Sequence, residues 1–274
     1  MHLDIIVEGI IREEDEDEKS QGPNFWFDFD GHRYPAWSSP RGRMHTAEYE
    51  LSKFNRYAKI GDRADEIKSN LIKELKSRPN SINGRCAYAC LLMMEHGIRT
   101  GNETSAEGYV SGLEDNKGEL VKTYGVTTLL DDHVKIEGDV LSLHFLGKTQ
   151  VEHKIRVLDD LMIKYGRYYQ KHKNDRETWL GVEYDDLFKY IRNTVGDGFI
   201  PKDFRTFRGN VTAWDYIRKP VKKVRVETAT EANDIIKKMV EACASVLGNT
   251  TGVSKSSYLD HRMIDWIKDT LMGL

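Results

Sequence analysis

Two sets of apolar residues alternate with other residues in the first 46 positions, which is the spacing of a β-strand. The sets are Leu3, Ile5 and Val7, and Phe25, Phe27 and Phe29. Residues 32–37 follow as a short segment that predicts a second strand and a turn. The N-terminal part of the chain is therefore predicted to be short and β-rich.

A helical spacing of apolar residues begins at Asp62 and continues over most of the chain. The first apolar face is formed by Ile67, Leu71, Ile72 and Leu75. The next helix, residues 83–98, is apolar on nearly all sides, so we expect it to lie in the core. Further helices are predicted at Leu158–His172, at Tyr184–Val195, from Pro201 onward and at Ala232–Leu247.

Between residues 133 and 157 the period returns to two, which predicts a β-hairpin. One strand covers Val140–Leu146, the next contains Val151, and Gly147-Lys148-Thr149 forms a tight connection. This hairpin would carry Lys148 at its tip. A lysine in an exposed turn usually serves solubility, and it can also reach a partner, so the pattern leaves both roles open.

The segment Leu247–Leu259 is rich in turn-forming residues and leads into a helix. Ser254 is predicted to cap a helix that continues through an apolar stripe to Leu271. Tyr258 would lie in the first turns of that helix. A tyrosine in this setting has three interpretations: a core residue, a surface residue or a nucleophile.

The composition is that of a globular protein with a highly charged surface. Of 274 residues, 39% are hydrophobic and 31% are charged, which suits one large domain or a small domain plus a larger one. No apolar run approaches the roughly 20 residues that span a bilayer, and the first residues do not resemble a signal peptide. Three cysteines give no disulfide framework, so a reducing compartment is expected. An acidic run at residues 13–18 contributes to the net charge of −3, and the chain beyond residue 40 is mildly basic.

Basic residues occur at three places where an anion could bind. Arg99 follows the buried helix and needs either an external anion or an internal partner such as Glu103. Residues 202–208 carry three basic residues at helical spacing. The loop with Arg43 and His45 is equally compatible with a plain surface loop and with a phosphate contact.

Four separated segments resemble, in order, the catalytic domain of type IB DNA topoisomerases, in particular those of poxviruses and bacteria. The segments are Gly97-Ile98-Arg99-Thr100-Gly101-Asn102-Glu103, Phe145-Leu146-Gly147-Lys148, Lys202-Asp203-Phe204-Arg205-Thr206-Phe207 and Ser254-Lys255-Ser256-Ser257-Tyr258-Leu259. Residues 124–129 resemble the family's stretch that leads into the hairpin. Each segment is weak alone, but four in the right order are specific. The resemblance covers residue 42 to the end of the chain.

The resemblance implies an α+β fold. A short β-rich, clamp-like region at residues 1–60 would precede a mostly α-helical catalytic domain at residues 61–274, which carries a β-hairpin as in DNA breaking-rejoining enzymes. It also implies a monomer that acts on duplex DNA inside a cell, in the cytoplasm or nucleoid, or in a viral particle. No membrane partner, metal, nucleotide or other cofactor is expected, and the sequence contains no Walker phosphate loop.

The family's catalytic roles map onto five residues of this sequence. Tyr258 would attack a backbone phosphate, form a DNA 3′-phosphotyrosyl bond and expel a 5′-hydroxyl. Arg99 and Arg205 would bind the nonbridging phosphate oxygens. Lys148 would be the general acid for the 5′ oxygen, and Lys202 would support that proton transfer.

These residue types suit the reaction on chemical grounds. Two guanidiniums can bind the two nonbridging oxygens, on which negative charge accumulates in the transition state. An alkoxide is a poor leaving group, so a nearby proton donor is needed. A phenol, with a pKa of about 10, leaves readily when the broken strand is resealed.

The sequence departs from the family at one catalytic position and at its N-terminus. The family usually has histidine nine residues before the tyrosine, whereas this chain has Asn249, which can donate a neutral hydrogen bond but carries no charge. The poxviral enzymes carry a fuller β-rich N-terminal domain than the roughly 40 residues that precede the resemblance here. The residues assigned to DNA binding are Arg43, His45, Asn210 and Lys255.

Three alternatives remain from the sequence. A tyrosine recombinase or integrase has a similar catalytic set, but it usually has histidine at the position of Lys202 and an N-terminal helical domain. A DNA-binding protein with a decayed active site would account for Asn249. A helical domain with chance matches is the third.

Overall fold

A computed structural model describes residues 22–23, 25–37, 46–110, 118–218, 226 and 228–273. The predicted strand at Leu3–Val7 and the acidic run lie outside these residues. The chain divides into two compact units, one formed by the described parts of Met1–Asp65 and Thr206–Leu274, and the other by Glu66–Arg205. The division into a region at residues 1–60 and a catalytic domain at 61–274 stays a prediction.

The described elements confirm the predicted α+β class, with short strands before a mostly helical chain that carries a hairpin. In chain order they are β1 (Phe25–Phe29), β2 (His32–Ala36), α1 (Thr46–Asp62), α2 (Ala64–Ser77), α3 (Ile82–His96), α4 (Glu103–Glu107), β3 (Tyr109–Val110), β4 (Leu120–Val121), β5 (Val134–Glu137), β6 (Val140–Leu146), β7 (Glu152–Val157), α5 (Asp160–Lys171), α6 (Tyr184–Thr194), α7 (Pro201–Arg218), α8 (Ala229–Leu247), α9 (Thr251–Ser257) and α10 (His261–Met272). All three sheets, β1-β2, β3-β4 and β5-β6-β7, are antiparallel.

The β1–β2 hairpin confirms the alternation that predicted it. Its turn residues Asp30 and Gly31 have φ angles of 49° and 73°, the left-handed values that a tight hairpin turn requires. Phe27 and Phe29 point into the core, where the ring centroid of Phe207 lies 5.9 and 5.0 Å from theirs. Helix α7 thus packs through its aromatic side on this hairpin.

Helix α1 was not predicted, and its composition explains why. The buried face follows the helical spacing Phe54, Tyr57, Ala58 and Gly61, but the last of these has no side chain to reveal the period. A Cβ atom on Gly61 would lie 2.5 Å from the ring of Phe27. The glycine therefore lets α1 approach β1 closely.

Helix α3 is the buried centre of the unit Glu66–Arg205, as predicted. Ser81 caps its first turn by accepting the Gly84 N–H at 3.0 Å, and Gly97 ends it in the left-handed conformation with φ 64°. Tyr88 on this helix packs against the rings of Tyr169 and Trp179 at 5.2 and 5.7 Å. Cys86 and Cys90 of α3 are unbridged and buried, as is typical of cysteines that pack as small apolar residues.

The predicted single helix from Ser254 to Leu271 is wrong. Thr250 caps the short helix α9, and Ser254 is buried within it. Tyr258 ends α9, and Asp260 caps a second helix, α10, by accepting the Arg262 N–H at 3.0 Å. The helix is interrupted here because side chains form hydrogen bonds with backbone N–H and C=O groups that a continuous helix would have paired with each other.

Of the helices in the described part of the chain, none has the length and apolarity needed to cross a membrane.

The break at Asp260 gives a test of the fold. The carboxylate is 0% exposed, and the Arg262 guanidinium donates to it from Nε at 2.9 Å and from Nη2 at 2.7 Å. Asp260→Ala should lower the free energy of unfolding by about 3 kcal/mol, because it removes a helix cap and one partner of a largely buried ion pair. Urea denaturation measures this change.

Asp265→Ala, at an exposed position of the same helix, is the matched control and should change stability by less than about 0.5 kcal/mol. Equal effects of the two substitutions would contradict the role assigned to Asp260.

Candidate active site

Arg99 lies in an extended segment directly after α3, and a second segment holds its backbone. The Val126 N–H donates to the Arg99 carbonyl oxygen at 2.8 Å, and the Thr127 N–H donates to the Thr100 oxygen at 2.9 Å. A Cβ atom on Gly125 would lie 2.4 Å from Thr100 O. The stretch 124–129 was expected to lead into the hairpin, and the structure shows that it also braces Arg99.

Arg99 lines an open cleft of about 570 Å³ within the unit Glu66–Arg205, together with the N-terminal residues of α4 and α6. Glu103, which the sequence offers as an internal partner for Arg99, is one of the residues that line the cleft.

Among the described residues, no group of three or more His, Cys, Asp or Glu side chains is placed to hold a metal ion.

Lys148 lies at the tip of the β6–β7 hairpin, as predicted, and its side chain is exposed. The connection is one turn of 3₁₀-helix, Lys148–Gln150, closed by a hydrogen bond from the Gly147 N–H to Val151 O at 2.8 Å. The Tyr124 N–H donates to Leu146 O at 2.7 Å. The stretch that braces Arg99 is therefore also attached to the strand that leads to Lys148.

His153 on β7 is influenced electrostatically by both arginines of this unit that are predicted to bind phosphate. It is 6% exposed, and its ring is parallel to that of Phe145, the residue opposite it in the sheet, at 4.8 Å. Burial, together with the positive charges of Arg205 and Arg99, lowers the pKa of His153 to about 4. A neutral imidazole thus lies within the field of both arginines and beside the turn that carries Lys148.

Sequence reasoning missed His153, although the strand pattern contained a signal. The second strand of the predicted hairpin contains Val151, Ile155 and Val157, and in a period of two residue 153 shares the face of these apolar residues. A titratable residue at an inward position, five residues after a candidate catalytic lysine, could have been identified on that basis.

Arg205 lies in the second turn of α7 and is 4% exposed. Asp203 fixes the start of the helix, because its Oδ2 atom accepts the Ile200 N–H at 2.9 Å. Lys202, on the preceding turn, is exposed. The three basic residues expected on the cationic side of this helix thus differ in exposure: Arg205 is buried, Arg208 is half-buried and Lys202 is exposed.

Tyr258 belongs to the other unit, where several contacts fix its backbone. Its N–H donates to Ser254 O at 3.1 Å, and the buried Asn210 amide donates from Nδ2 to Tyr258 O at 2.8 Å. Asn210 Oδ1 accepts the Asp260 N–H at 2.9 Å. A Cβ atom on Gly209 would lie 3.5 Å from Tyr258 Cβ, so the helix passes close to the tyrosine. DNA binding by Asn210 stays a prediction, and its amide holds the backbone of the candidate nucleophile.

Asn249 lies between the end of α8 and the start of α9. Gly248 ends α8 in the left-handed conformation with φ 58°, the Asn249 N–H donates to Ala244 O at 3.0 Å, and Thr250 caps α9. Lys255 is exposed on α9. Arg43 and His45 lie outside the described residues, so their assignment stays a prediction.

Residues 42–272 match the family model for the eukaryotic DNA topoisomerase I catalytic core. This chain belongs to the type IB DNA topoisomerase family. It is 31% identical over 153 residues to DNA topoisomerase 1B of Acanthamoeba polyphaga mimivirus, across 50% of this chain and 45% of the relative. DNA topoisomerase I of Monkeypox virus and DNA topoisomerase 1B of Vaccinia virus are each 23% identical over 235 residues, across 83% of this chain and 68% of theirs.

The matches confirm the predicted family, whose members are isomerases, and they extend over almost the range that the sequence motifs covered. The chain aligns with less than half of the mimivirus relative, so its own activity is addressed below as a proposal.

The depressed pKa of His153 predicts a pH dependence of stability. Between about pH 6.5 and pH 4, the unfolded chain binds a proton at this side chain that the folded protein does not bind. The free energy of unfolding should therefore fall as the pH is lowered through this window. His153→Phe, which cannot bind the proton, should lose less stability than the parent over the same range.

Urea denaturation at several pH values measures the difference between the two proteins. His32→Phe, at an exposed histidine of β2, is the control and should follow the parent. Parallel curves for the parent and His153→Phe would refute the neutral, buried state of this histidine.

Proposed function

We propose that this chain relaxes supercoiled duplex DNA as a type IB topoisomerase, by transient cleavage of one strand through a 3′-phosphotyrosyl intermediate, without ATP or a metal ion. The observation that carries the proposal is the grouping of Arg99, Arg205 and the Lys148 turn about one neutral histidine. Membership of the family over residues 42–272 supports it.

Arg99 and Arg205 are proposed to bind the nonbridging oxygens of the phosphodiester that is cut. A guanidinium stays charged at every physiological pH and presents paired donors to an anion. Because Arg205 is buried, its charge is screened less by water than that of an exposed residue would be. Such preorganised charge stabilises the transition state, where negative charge on those oxygens is greatest.

Tyr258 and Lys148 are proposed to act together in the replacement of one bridging oxygen of the phosphodiester, O5′, by the phenolic oxygen. The phenolic oxygen of Tyr258 forms a bond to phosphorus as the bond from phosphorus to O5′ breaks. The phenolic proton leaves to water, and Lys148 Nζ gives a proton to O5′, so that a neutral 5′-hydroxyl departs. Lys202 supports this proton transfer.

The covalent intermediate accounts for resealing without an external energy source. The phosphotyrosyl ester preserves the bond energy of the cut phosphodiester, and a phenol with a pKa of about 10 is a better leaving group than an alcohol. The 5′-hydroxyl attacks the same phosphorus and releases Tyr258. Rotation of the free end between the two steps relaxes the supercoils.

Asn249 is proposed to donate a neutral hydrogen bond to a phosphate oxygen, where the family usually has histidine. Its amide can act as a donor but supplies neither positive charge nor a proton.

The Asn210 amide, which is buried and bonded to Thr206 O, Tyr258 O and the Asp260 N–H, is proposed to position the Tyr258 backbone rather than to contact DNA. Arg43, His45 and Lys255 are proposed to contact DNA. Contacts of this kind make binding strongly dependent on salt, and we propose that the enzyme acts as a monomer on intracellular or virion DNA.

Removal of the nucleophile tests the activity. The parent should relax a supercoiled plasmid in EDTA without ATP, whereas Tyr258→Phe should show no relaxation and form no covalent complex with DNA. The control is Tyr168→Phe, a change at a partly exposed tyrosine of α5 that does not line the Arg99 cleft. Relaxation by Tyr258→Phe would sink the proposed mechanism, and inactivity of the parent with DNA binding retained would favour a decayed site or a recombinase that awaits its own sequence.

Restoration of histidine tests the role of residue 249. Asn249→His should keep the rate of single-turnover DNA cleavage or raise it about fivefold, because a hydrogen bond from a charged donor is about 1 kcal/mol stronger than a neutral one. The rate is measured at saturating protein so that binding does not limit it. A large loss of rate would show that Asn249 is adapted to its own surroundings and that the assignment of this loop is wrong.

A further inference from the structure

Residue 147, which precedes the candidate general acid, has no room for a side chain larger than that of glycine. Its φ and ψ angles of −88° and −174° are ordinary extended values that any residue adopts. A Cβ atom at this position would lie 2.4 Å from His153 Nε2 and 2.6 Å from the neighbouring ring carbon. The imidazole of His153 therefore occupies the space that a side chain at residue 147 would need.

A face of the imidazole is packed as well. Phe145 pairs with His153 across β6 and β7, and their rings are parallel to within 3° at 4.8 Å. The hydrogen bond from the Gly147 N–H to Val151 O closes the hairpin around them. The ring thus packs with one face on Phe145 and with its Nε2–Cδ2 edge beside Gly147, one residue before Lys148.

The imidazole fills this space without adding a charge. Arg205 and Arg99 both act on it electrostatically, and a third cation between them and the Lys148 turn would be repelled. Its pKa of about 4, lowered by burial and by the two arginines, keeps the ring neutral at physiological pH.

We propose that His153 is a positioning residue, whose ring supports the Gly147–Lys148 turn and so places the Lys148 ammonium for proton transfer to the leaving oxygen. This inference rests on the proposed function, in which Lys148 protonates O5′. Loss of the ring would let the turn collapse toward Phe145 and would slow cleavage at the step in which the bond from phosphorus to O5′ breaks.

The step can be isolated with a modified DNA. When sulfur replaces the 5′ bridging oxygen, the leaving group is a thiolate, and a thiol with a pKa of about 8.5 leaves without a proton donor. Defects in the general acid therefore disappear on the sulfur substrate, whereas defects in phosphate binding or in the nucleophile remain. The two substrates distinguish a role through Lys148 from a general structural role.

The experiment measures single-turnover cleavage of matched oxygen and sulfur duplexes by four full-length variants. His153→Gln should be about 10- to 100-fold slower than the parent on the oxygen substrate, because a displacement of about 1 Å has effects of that size, and near the parental rate on the sulfur substrate. His153→Phe, which keeps a flat ring against Phe145, should stay within about threefold of the parent on both. His144→Gln, on the exposed face of β6, is the matched control and should behave as the parent.

Lys148→Ala is the fourth variant and separates failure of this inference from failure of the proposed function. Rescue of Lys148→Ala by sulfur supports the acid role, and His153→Gln is then judged on its own. An equal defect of His153→Gln on both substrates, or no defect on either, would overturn the positioning role. No rescue of Lys148→Ala would overturn the acid role itself, and with it the positioning of an acid by His153.

A second pair of variants covers the case in which His153→Gln does not fold. Gly147→Ala should show the same defect, rescued by sulfur, because its methyl group meets the imidazole. The added methyl should do less harm in a His153→Ala background, where the space is empty, than in the parent. Full activity of Gly147→Ala, or an equal effect in both backgrounds, would contradict the proposed contact.

Discussion

Positive charges that are proposed to bind one phosphate, those of Arg99 and Arg205, repel each other in its absence, so the fold must hold them in place by other means. Backbone hydrogen bonds from residues 126 and 127 fix the segment of Arg99, and Asp203 fixes the start of the helix that carries Arg205. A neutral histidine lies in the field of both arginines instead of a further cation. Packing and hydrogen bonding within the unit Glu66–Arg205 offset the repulsion between these charges.

The candidate nucleophile is held by a different device in the other unit. Tyr258 lies at a break between two helices, where Asn210 bonds the backbone on both sides and the Asp260–Arg262 ion pair starts the next helix. In a continuous helix, the backbone position of a tyrosine would be set by the helix as a whole. At a helix end, its backbone is fixed by a few side chains, and its phenol remains partly exposed to solvent. The unit boundary falls within α7, which carries Arg205 before it and Asn210 after it.

Sequence patterns predicted the elements that have strong local signals. The β1–β2 hairpin, the buried helix α3 and the Lys148 hairpin were all visible in the spacing of apolar residues, and the order of four motifs identified the family. Helix α1 was missed because its buried side includes the charged Lys53 and ends at Gly61, which has no side chain. The break after Tyr258 was missed because the amide that stabilises it, Asn210, lies about fifty residues away in sequence and no local pattern reports such a contact.

His153 shows a further limit of reasoning from residue types. A sequence shows a histidine, but only the packing around it decides whether the ring is charged. Here burial, together with the positive charges of Arg205 and Arg99, lowers the pKa of the ring to about 4. Asn249 lies where the resemblance to the family predicts a histidine. Neither residue 153 nor residue 249 adds a positive charge near neutral pH. The proposed phosphate binding therefore depends on Arg99, Arg205 and Lys148, which the backbone and the hairpin hold in place.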